Sequence, residues 1–388
     1  MKVVFWLSLL GVFYTYAGYA VIVWAWARLR PVFWKTAPIT PTVSIVLAVH
    51  NGVALLDRKI EHLLHVDYPA ISEVIIVSDG STDGTAELLI AKQRPRLVVR
   101  ILERHAGKAA AVNLGVAEAT GEILLFVDIR PEIAPGAIQH LVGNFADPSV
   151  GCVSGNLQLR YQDHDAAAGA VGGLYWRYEQ WLRTCESLID SPVGVYGGFY
   201  AIRRRLFVPQ PHGIILDDMF EPLSIIRQGY RSVVDLNAYV YDSWPKTSGA
   251  EFNRKVRTLA GNFQLFQLQP WLLTPQNRVL FQLVSHKMMR LVVPYLFILL
   301  LLSSMVLSRD SRIFAVFTVL QLIGWLVGAI TIRFPVREVK WIGGPVSALL
   351  VLNAAAVVGL YKFLFTRGPL WKIWNPGKPV DLGTIRNP

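Results

Sequence analysis

Four stretches of the chain run uncharged for about the length of a membrane-crossing helix, and the long interval after the first of them reads quite differently. The uncharged stretches are Val3–Ala27, Leu291–Ser308, Ile313–Ile332 and Trp341–Tyr361, of 25, 18, 20 and 21 residues, each bracketed by Lys or Arg. About 20 apolar residues in a helix cover the roughly 30 Å of bilayer hydrocarbon, so each stretch predicts one spanning helix. Ala25-Trp26-Ala27 loosely fits the cleavage site of a secretory leader. The apolar run before it is much longer than a leader's 7–15 or so residues, which predicts a retained anchor.

Beyond Pro38 and Pro41, short β-branched runs alternate with amphipathic ones. Val43–Val49, Glu73–Ser78, Leu97–Leu102 and Ile123–Val127 read as strands; Val53–His65, Gly84–Lys92, Lys108–Ala119 and Pro135–Phe145 read as helices. That alternation predicts an α/β domain with a mainly parallel sheet, whose ligands bind beyond the carboxyl ends of the strands. Between residues 251 and 275, Phe252, Leu259, Phe263, Phe266, Leu268 and Trp271 mix with Arg254, Lys255 and Arg257, which suits short helices lying along a membrane surface. The expected organisation is therefore residues 1–41 as anchor and linker, 42–250 as the α/β domain, 251–285 as interfacial helices, and 286–388 as about three spanning helices with a basic tail.

Composition sharpens this division. Hydrophobic residues make up 53% of the 388 and charged ones 17%, against about 25% charged in ordinary soluble domains, which excludes disorder and collagen-like repeats. The net charge of +11 is unevenly placed: residues 42–250 carry −5 and the flanks +16. Basic flanks around apolar ends favour anionic lipid as the partner over nucleic acid. Arg28, Arg30 and Lys35 follow the first apolar run and place the domain on the cytoplasmic side. Four crossings would put the tail outside, yet Arg367, Lys372, Lys378 and Arg386 with Trp371 and Trp374 give it a cytoplasmic or interfacial character, so a re-entrant segment stays open. Cys152 and Cys185 are too few for a zinc site or disulfide framework and read as reduced core residues.

The polar residues at the strand ends carry the chemistry. The second strand runs into Ser78-Asp79-Gly80-Ser81-Thr82-Asp83-Gly84, where the glycines permit a tight loop and Ser81 or Asp83 is placed to cap the next helix. His50-Asn51-Gly52 ends the first strand, Asp128-Ile129-Arg130 follows the fourth, and Gly107-Lys108 opens a helix with Asn113 just over a turn further on. Lys108 after a glycine at a helix start is well placed for phosphate. Asp217-Asp218 reads either as a helix cap or as a pair whose mutual repulsion raises one pKa toward that of a useful base. Gly197-Gly198 reads as a plain turn or as a place where backbone approaches a ligand closely. His62 and His65 are expected to be surface or core residues, not metal ligands.

Taken together, these segments resemble the inverting family-2 nucleotide-sugar glycosyltransferases, in the membrane-embedded branch that includes polysaccharide synthases. The resemblance implies a GT-A-type, Rossmann-like nucleotide-binding domain and transfer from a nucleotide-sugar, with uridine as the nucleoside, to a growing polysaccharide or a lipid-linked acceptor. Carried over residue by residue, it implies that Asp79 holds base and ribose, with His50 nearby on the donor side. Lys108 and Asn113 would lie near the diphosphate, and Asp128 would occupy the metal-facing position. Tyr196-Gly197-Gly198-Phe199-Tyr200-Ala201-Ile202-Arg203-Arg204 would form the acceptor-side glycine loop, and Leu216-Asp217-Asp218 the acidic pair whose second member is the base. A magnesium or manganese ion is expected at Asp128. Arg130 stands where the family has a second carboxylate, so either Asp128 shares the metal with phosphate oxygens and water, or Arg130 takes over part of that charge by pairing with the diphosphate. Arg257 falls at the arginine of the synthases' Gln-x-x-Arg-Trp signature, without its Gln and Trp, which leaves processivity and single transfer both open. A non-catalytic nucleotide-sugar sensor or a scaffold of an export complex is the rival reading.

Overall fold

The computed structural model describes residues 1–160, 166–243, 248–333, 340–366 and 385–386. The basic tail positions Arg367, Trp371, Lys372, Trp374 and Lys378 lie outside the described residues. The chain separates into two compact units, one comprising Val32–Arg160, Glu186–Ser243 and Thr366–Pro388, the other Met1–Pro31, Tyr161–Cys185 and Trp244–Phe365.

In the first of these, β1 (Val43–Val49), β2 (Ile71–Asp79), β3 (Leu97–Leu102) and β4 (Ile123–Val127) pair in parallel in the order β4-β1-β2-β3. The runs of Val, Ile and Leu in β1, β2 and β4 are buried almost without interruption, as expected where helices cover both faces of a sheet. The helix Lys108–Glu118 packs on β1 and β2 through Ala109, Ala111, Val112 and Gly115, small residues that allow close approach. A Cβ on Gly115 would lie 2.9 Å from the Val46 side chain.

The sheet then reverses. The strands β5 (Glu132–Ile133), β6 (Val150–Arg160), β7 (Phe199–Arg203) and β8 (Arg231–Ser243) extend it beyond β4, with β7 antiparallel to both β4 and β6, and β5 antiparallel to β8. A ninth strand, β9 (Ile385–Arg386), lies antiparallel to the edge of β3. The core joins Val46, Ile75 and Val77 to Phe126, Cys152, Tyr200 and Ile225. Cys152 is buried and its thiol is pushed up to about 12 by that burial, and Cys185 is also buried; neither is in a disulfide.

In the other unit, four helices among the described residues are long and apolar enough to cross a membrane: Lys2–Leu29, Leu280–Leu307, Arg312–Ile332 and Gly344–Phe365. Two contain a wider π-type turn, at Tyr14–Gly18 and Leu283–Met288, and there the Tyr14 hydroxyl lies 2.6 Å from Ser285 Oγ. Near the start of the first helix, Phe5 meets Phe314 edge to face at 4.9 Å. Residues 251–275, expected as several short helices, are mostly one helix, Ser248–Leu268, followed by a 3-10 turn at Pro270–Leu273. A packing partner is the reason: this helix lies along Lys340–Phe365, with Phe263 stacked on Phe363 and Gly359 against the Ala260 backbone.

Candidate functional site

Strand ends set the site. β2 and β4 flank β1, so Asp79 at the end of β2 and Asp128 just past β4 sit on the same sheet edge, about 10 Å apart by strand spacing. Asp79 is buried, and its carboxylate is spent on the neighbouring loop. Oδ1 accepts the Ala106 N–H at 2.7 Å and Oδ2 the Gly107 N–H at 2.9 Å, with His105 Nδ1 2.8 Å from Oδ2. Gly80 makes this approach possible: its φ is +58°, and a Cβ there would lie 2.1 Å from the His105 nitrogen. The exposed His50 ring stacks on His105 at 3.9 Å, with its Nδ1 2.7 Å from the Asp79 carbonyl oxygen. Asp79 therefore acts on the rim through the loop it holds, while His50 and His105 form a flat two-ring stack there.

The loop after β2 is laced to the loop after β1. Thr82 donates its N–H to Asn51 Oδ1, and Asn51, at φ 52°, donates its own to Ser81 Oγ. Asp83 serves two helices at once, accepting the Val53 N–H at the start of one and the Thr85 N–H at the start of the next. These bonds hold its carboxyl below the usual range, the Thr85 hydroxyl foremost.

Lys108 begins the helix Lys108–Glu118 and reaches across the cleft. Its Nζ lies 3.2 Å from Asp128 Oδ1 and 2.9 Å from Asp217 Oδ2. Desolvation alone would lower the pKa of this ammonium, but the two carboxylates outweigh it and the pKa is raised. Val46, Ala48, Phe126, Gly197 and Tyr200 line the same cleft. Asp217 and Asp218 open the helix Asp217–Arg227, where acidic groups suit the positive end of the helix dipole. The turn Tyr196-Gly197-Gly198 closes the far wall: Asp128 donates its N–H to the Gly198 carbonyl at 3.2 Å, and Val195 donates its N–H to the Asp218 carbonyl at 2.9 Å. A Cβ on Gly197 would lie 3.0 Å from Asp218 Cβ, so this glycine leaves the Asp218 side chain its place. Tyr200, fully buried beneath, has its pKa raised by burial first and then by the charges of Glu221 and Asp217, and stays a neutral phenol.

Asp128, Lys108, Asp217, Asp218, Gly197 and Gly198 thus meet around one cleft, with Asp79 and His50 further along the same sheet edge. Arg130 is turned to Asp242 on β8, at 3.1 Å. Arg257 is exposed on the helix Ser248–Leu268 of the other unit. Among the described residues no group of three or more His, Cys, Asp or Glu is arranged to hold a metal ion. The half-exposed carboxylate of Asp128 still offers the hard oxygen that a magnesium or manganese ion shares with phosphate oxygens, since such ions are commonly held by one or two carboxylates and the substrate itself.

Two supporting sets of contacts were not anticipated from sequence, one of them made by Asn113, expected near the diphosphate. Lys59, buried in the helix Val53–Leu64, donates to the Pro131 carbonyl at 2.5 Å, and beside it Arg58 pairs with Glu132, which braces the loop carrying Asp128 and Arg130. Burial lowers the Lys59 pKa to about 8 against the pull of Asp128, Asp242 and Glu132. Second, Asn113 clasps the backbone of Gln210, and the Gln210 side chain donates to the buried Glu221. Asn113 and Gln210 stand 97 residues apart, and no local pattern announces such a pair. Glu221, four residues after Asp217 on one helix face, was the legible signal.

Residues 44–208 match the family described as Glycosyl transferase family 2. The poly-beta-1,6-N-acetyl-D-glucosamine synthase of Staphylococcus aureus (strain COL) is 24% identical over 229 residues, 58% of this chain and 55% of that protein. The protein of the same name from Staphylococcus epidermidis is 23% identical over 235 residues, 59% and 56% of the two chains. The chain spans about half the length of these relatives. Among solved structures, the mannosyltransferase PcManGT from Pyrobaculum calidifontis, in complex with GDP-Man and Mn2+, superposes with a TM-score of 0.66 at 21% identity, covering 92% of this chain and 99% of that one. What is shared there is the fold, a GT-A-type α/β sheet with long apolar helices.

Proposed function

We propose that the protein, whose residues 44–208 match the glycosyl transferase family 2 model, transfers a sugar from a nucleotide-sugar to a saccharide or lipid-linked acceptor at the cytoplasmic face of a membrane, inverting the anomeric centre. The observation that carries this reading is the cleft in which the Lys108 ammonium lies between Asp128 and Asp217, beside Asp218 and its glycine wall.

Displacing a nucleoside diphosphate needs charge stabilisation at the leaving phosphate and removal of a proton from the attacking hydroxyl. Lys108 serves the first need: its ammonium pairs with the diphosphate as the donor enters. Asp128 is the residue that would hold a divalent ion together with the phosphate oxygens, and such an ion, when bound, supplies further neutralisation of the leaving group. Asp218 serves the second need, accepting the acceptor's hydroxyl proton as its oxygen attacks C1 from the face opposite the diphosphate. Asp217 keeps Lys108 aimed into the cleft. The His50–His105 stack on the rim is a flat apolar surface for the base, proposed as that of uridine. Gly197 and Gly198 let the acceptor approach the main chain.

The names of the staphylococcal relatives favour a polymer of N-acetylglucosamine as product. The missing Gln and Trp around Arg257 favour a single transfer, since a Trp face is the usual stacking platform for an acceptor sugar. The test is turnover by the detergent-solubilised protein with uridine- and guanosine-linked sugars, native lipid extract, and magnesium, manganese or chelator. One donor should release nucleoside diphosphate, and Asp218→Asn should lower that rate by about 10²–10⁴-fold while donor affinity stays within a few fold. Turnover surviving in Asp218→Asn would remove that residue as the base, and donor binding without turnover under every condition would leave the sensor reading in its place. A ladder of chains or one added sugar separates the two acceptor classes.

A further inference from the structure

One turn beyond its acidic start, the helix Asp217–Arg227 buries Glu221 completely. Its Oε1 accepts from Gln210 Nε2 at 2.9 Å, yet Glu221 Oε2 and Gln210 Oε1 are both buried without a hydrogen-bond partner. Two leftover acceptors cannot satisfy each other. A single proton resolves both: with Oε2 protonated, its O–H donates to Gln210 Oε1 while Nε2–H donates to Glu221 Oε1, closing a cyclic acid–amide pair.

We propose that Glu221 is a positioning residue kept as a neutral carboxylic acid, and that its acid–amide lock with Gln210 fixes Asp217 and Asp218 relative to Lys108. The route is continuous. Asn113, on the helix that Lys108 opens, donates to the Gln210 carbonyl at 2.9 Å and accepts the Gln210 N–H at 2.8 Å. Gln210 then grips Glu221, and Glu221 belongs to the helix that Asp217 and Asp218 open. The groups that face Glu221 bring no positive charge: Asp217 on its own helix is an anion, and Tyr200 on β7 and Cys152 on β6 are neutral. Burial first, and then the charge of Asp217, push the Glu221 carboxyl up to about 8, against the Gln210 hydrogen bond. Ionisation breaks the O–H bond of the lock and sets a second negative charge beside Asp217.

The inference rests on the transferase reading for its consequence, slower turnover as pH rises through about 8, but not for the protonation state itself. Two measurements separate them. Infrared difference spectra of the full-length protein at neutral pH should show a protonated-carboxyl stretch that vanishes in Glu221→Gln and at alkaline pH. The kcat–pH profile of the wild type should fall on that alkaline limb, while Glu221→Gln, whose amide forms the same cyclic pair, keeps neutral-pH turnover within about threefold and loses the limb. Glu221→Ala should be slow at every pH. An alkaline limb unchanged in Glu221→Gln, or no protonated-carboxyl band lost with it, overturns the lock. If no donor is turned over at all, the transferase reading fails and the infrared band alone decides.

Discussion

Replacing Asp79 by Asn is nearly isosteric, and it tests whether one carboxylate organises the rim of the cleft. The two oxygens of Asp79 each receive a different backbone N–H, from Ala106 and Gly107, in a site where the side chain is 3% exposed. An Asn carboxamide offers one acceptor oxygen and an NH2 group, so one of the two backbone donors is left facing another donor. A hydrogen bond to a charged group is worth about 1.5–3 kcal/mol, and a stranded buried donor costs about 1–3 kcal/mol. One of each gives about 3–5 kcal/mol, and burial leaves little solvent screening to reduce it. At about 1.4 kcal/mol per decade, local opening of the loop should become roughly a hundred- to several-thousand-fold more frequent. Hydrogen–deuterium exchange by mass spectrometry reads this directly: amides 106 and 107 should exchange faster by that factor, while peptides from β8 keep their rates. Donor affinity should fall as well, because Lys108 follows directly on this loop. Exchange at amides 106 and 107 unchanged within about threefold would show that the carboxylate is not what holds the loop, and the hydrogen-bond arithmetic would be wrong.

Gly197→Ala places a Cβ 3.0 Å from that of Asp218; the carboxylate must shift by a few tenths of an ångström, and kcat should fall about 10-fold or more with donor affinity unchanged, measured by titration and turnover. Lys108→Met removes the ammonium between Asp128 and Asp217, and nucleotide-sugar affinity should weaken by about 10-fold or more in calorimetric titration. Because the folded-state pKa of Glu221 is raised from 4.5 to about 8, the folded state holds a proton that the unfolded chain releases. That contribution is fully present below pH 4.5 and is lost as pH rises through about 8, with a slope of about 1.4 kcal/mol per pH unit inside that window. Denaturation midpoints of the wild type should decline across this window relative to those of Glu221→Gln. The Cys152 thiol, buried and pushed up to about 12, should resist maleimide at neutral pH until the protein is unfolded.

Most of the sheet was legible because its signals are local. β1, β3 and β4 begin and end where their β-branched runs do, and β2 exceeds its expected span at both ends, at Ile71 and Asp79. The strands beyond β4 were not placed by sequence. The long β6 and β8 pair with each other across register shifts, and β7 runs antiparallel between β6 and β4, arrangements set by long-range pairing. In the site, the acidic and basic residues at strand ends were found from their position in the motifs. Their partners were not: Lys108 could be expected near phosphate, but its double pairing with Asp128 and Asp217 depends on how the helix Asp217–Arg227 docks. Arg130 was expected either to leave the metal to Asp128 or to face the diphosphate itself, and its pairing with Asp242 arises from a strand more than a hundred residues later.

The short strand β9 constrains how the polypeptide threads a bilayer. Ile385 and Arg386 pair with Leu102 and Ile101 in the sheet that the chain last left through β8. A polypeptide that departs from one side of a barrier and returns to it has traversed that barrier an even number of times. Three of the apolar helices, Leu280–Leu307, Arg312–Ile332 and Gly344–Phe365, intervene. With these three helices set in a bilayer, an even number of them would cross it, and at least one would enter and leave by the same face.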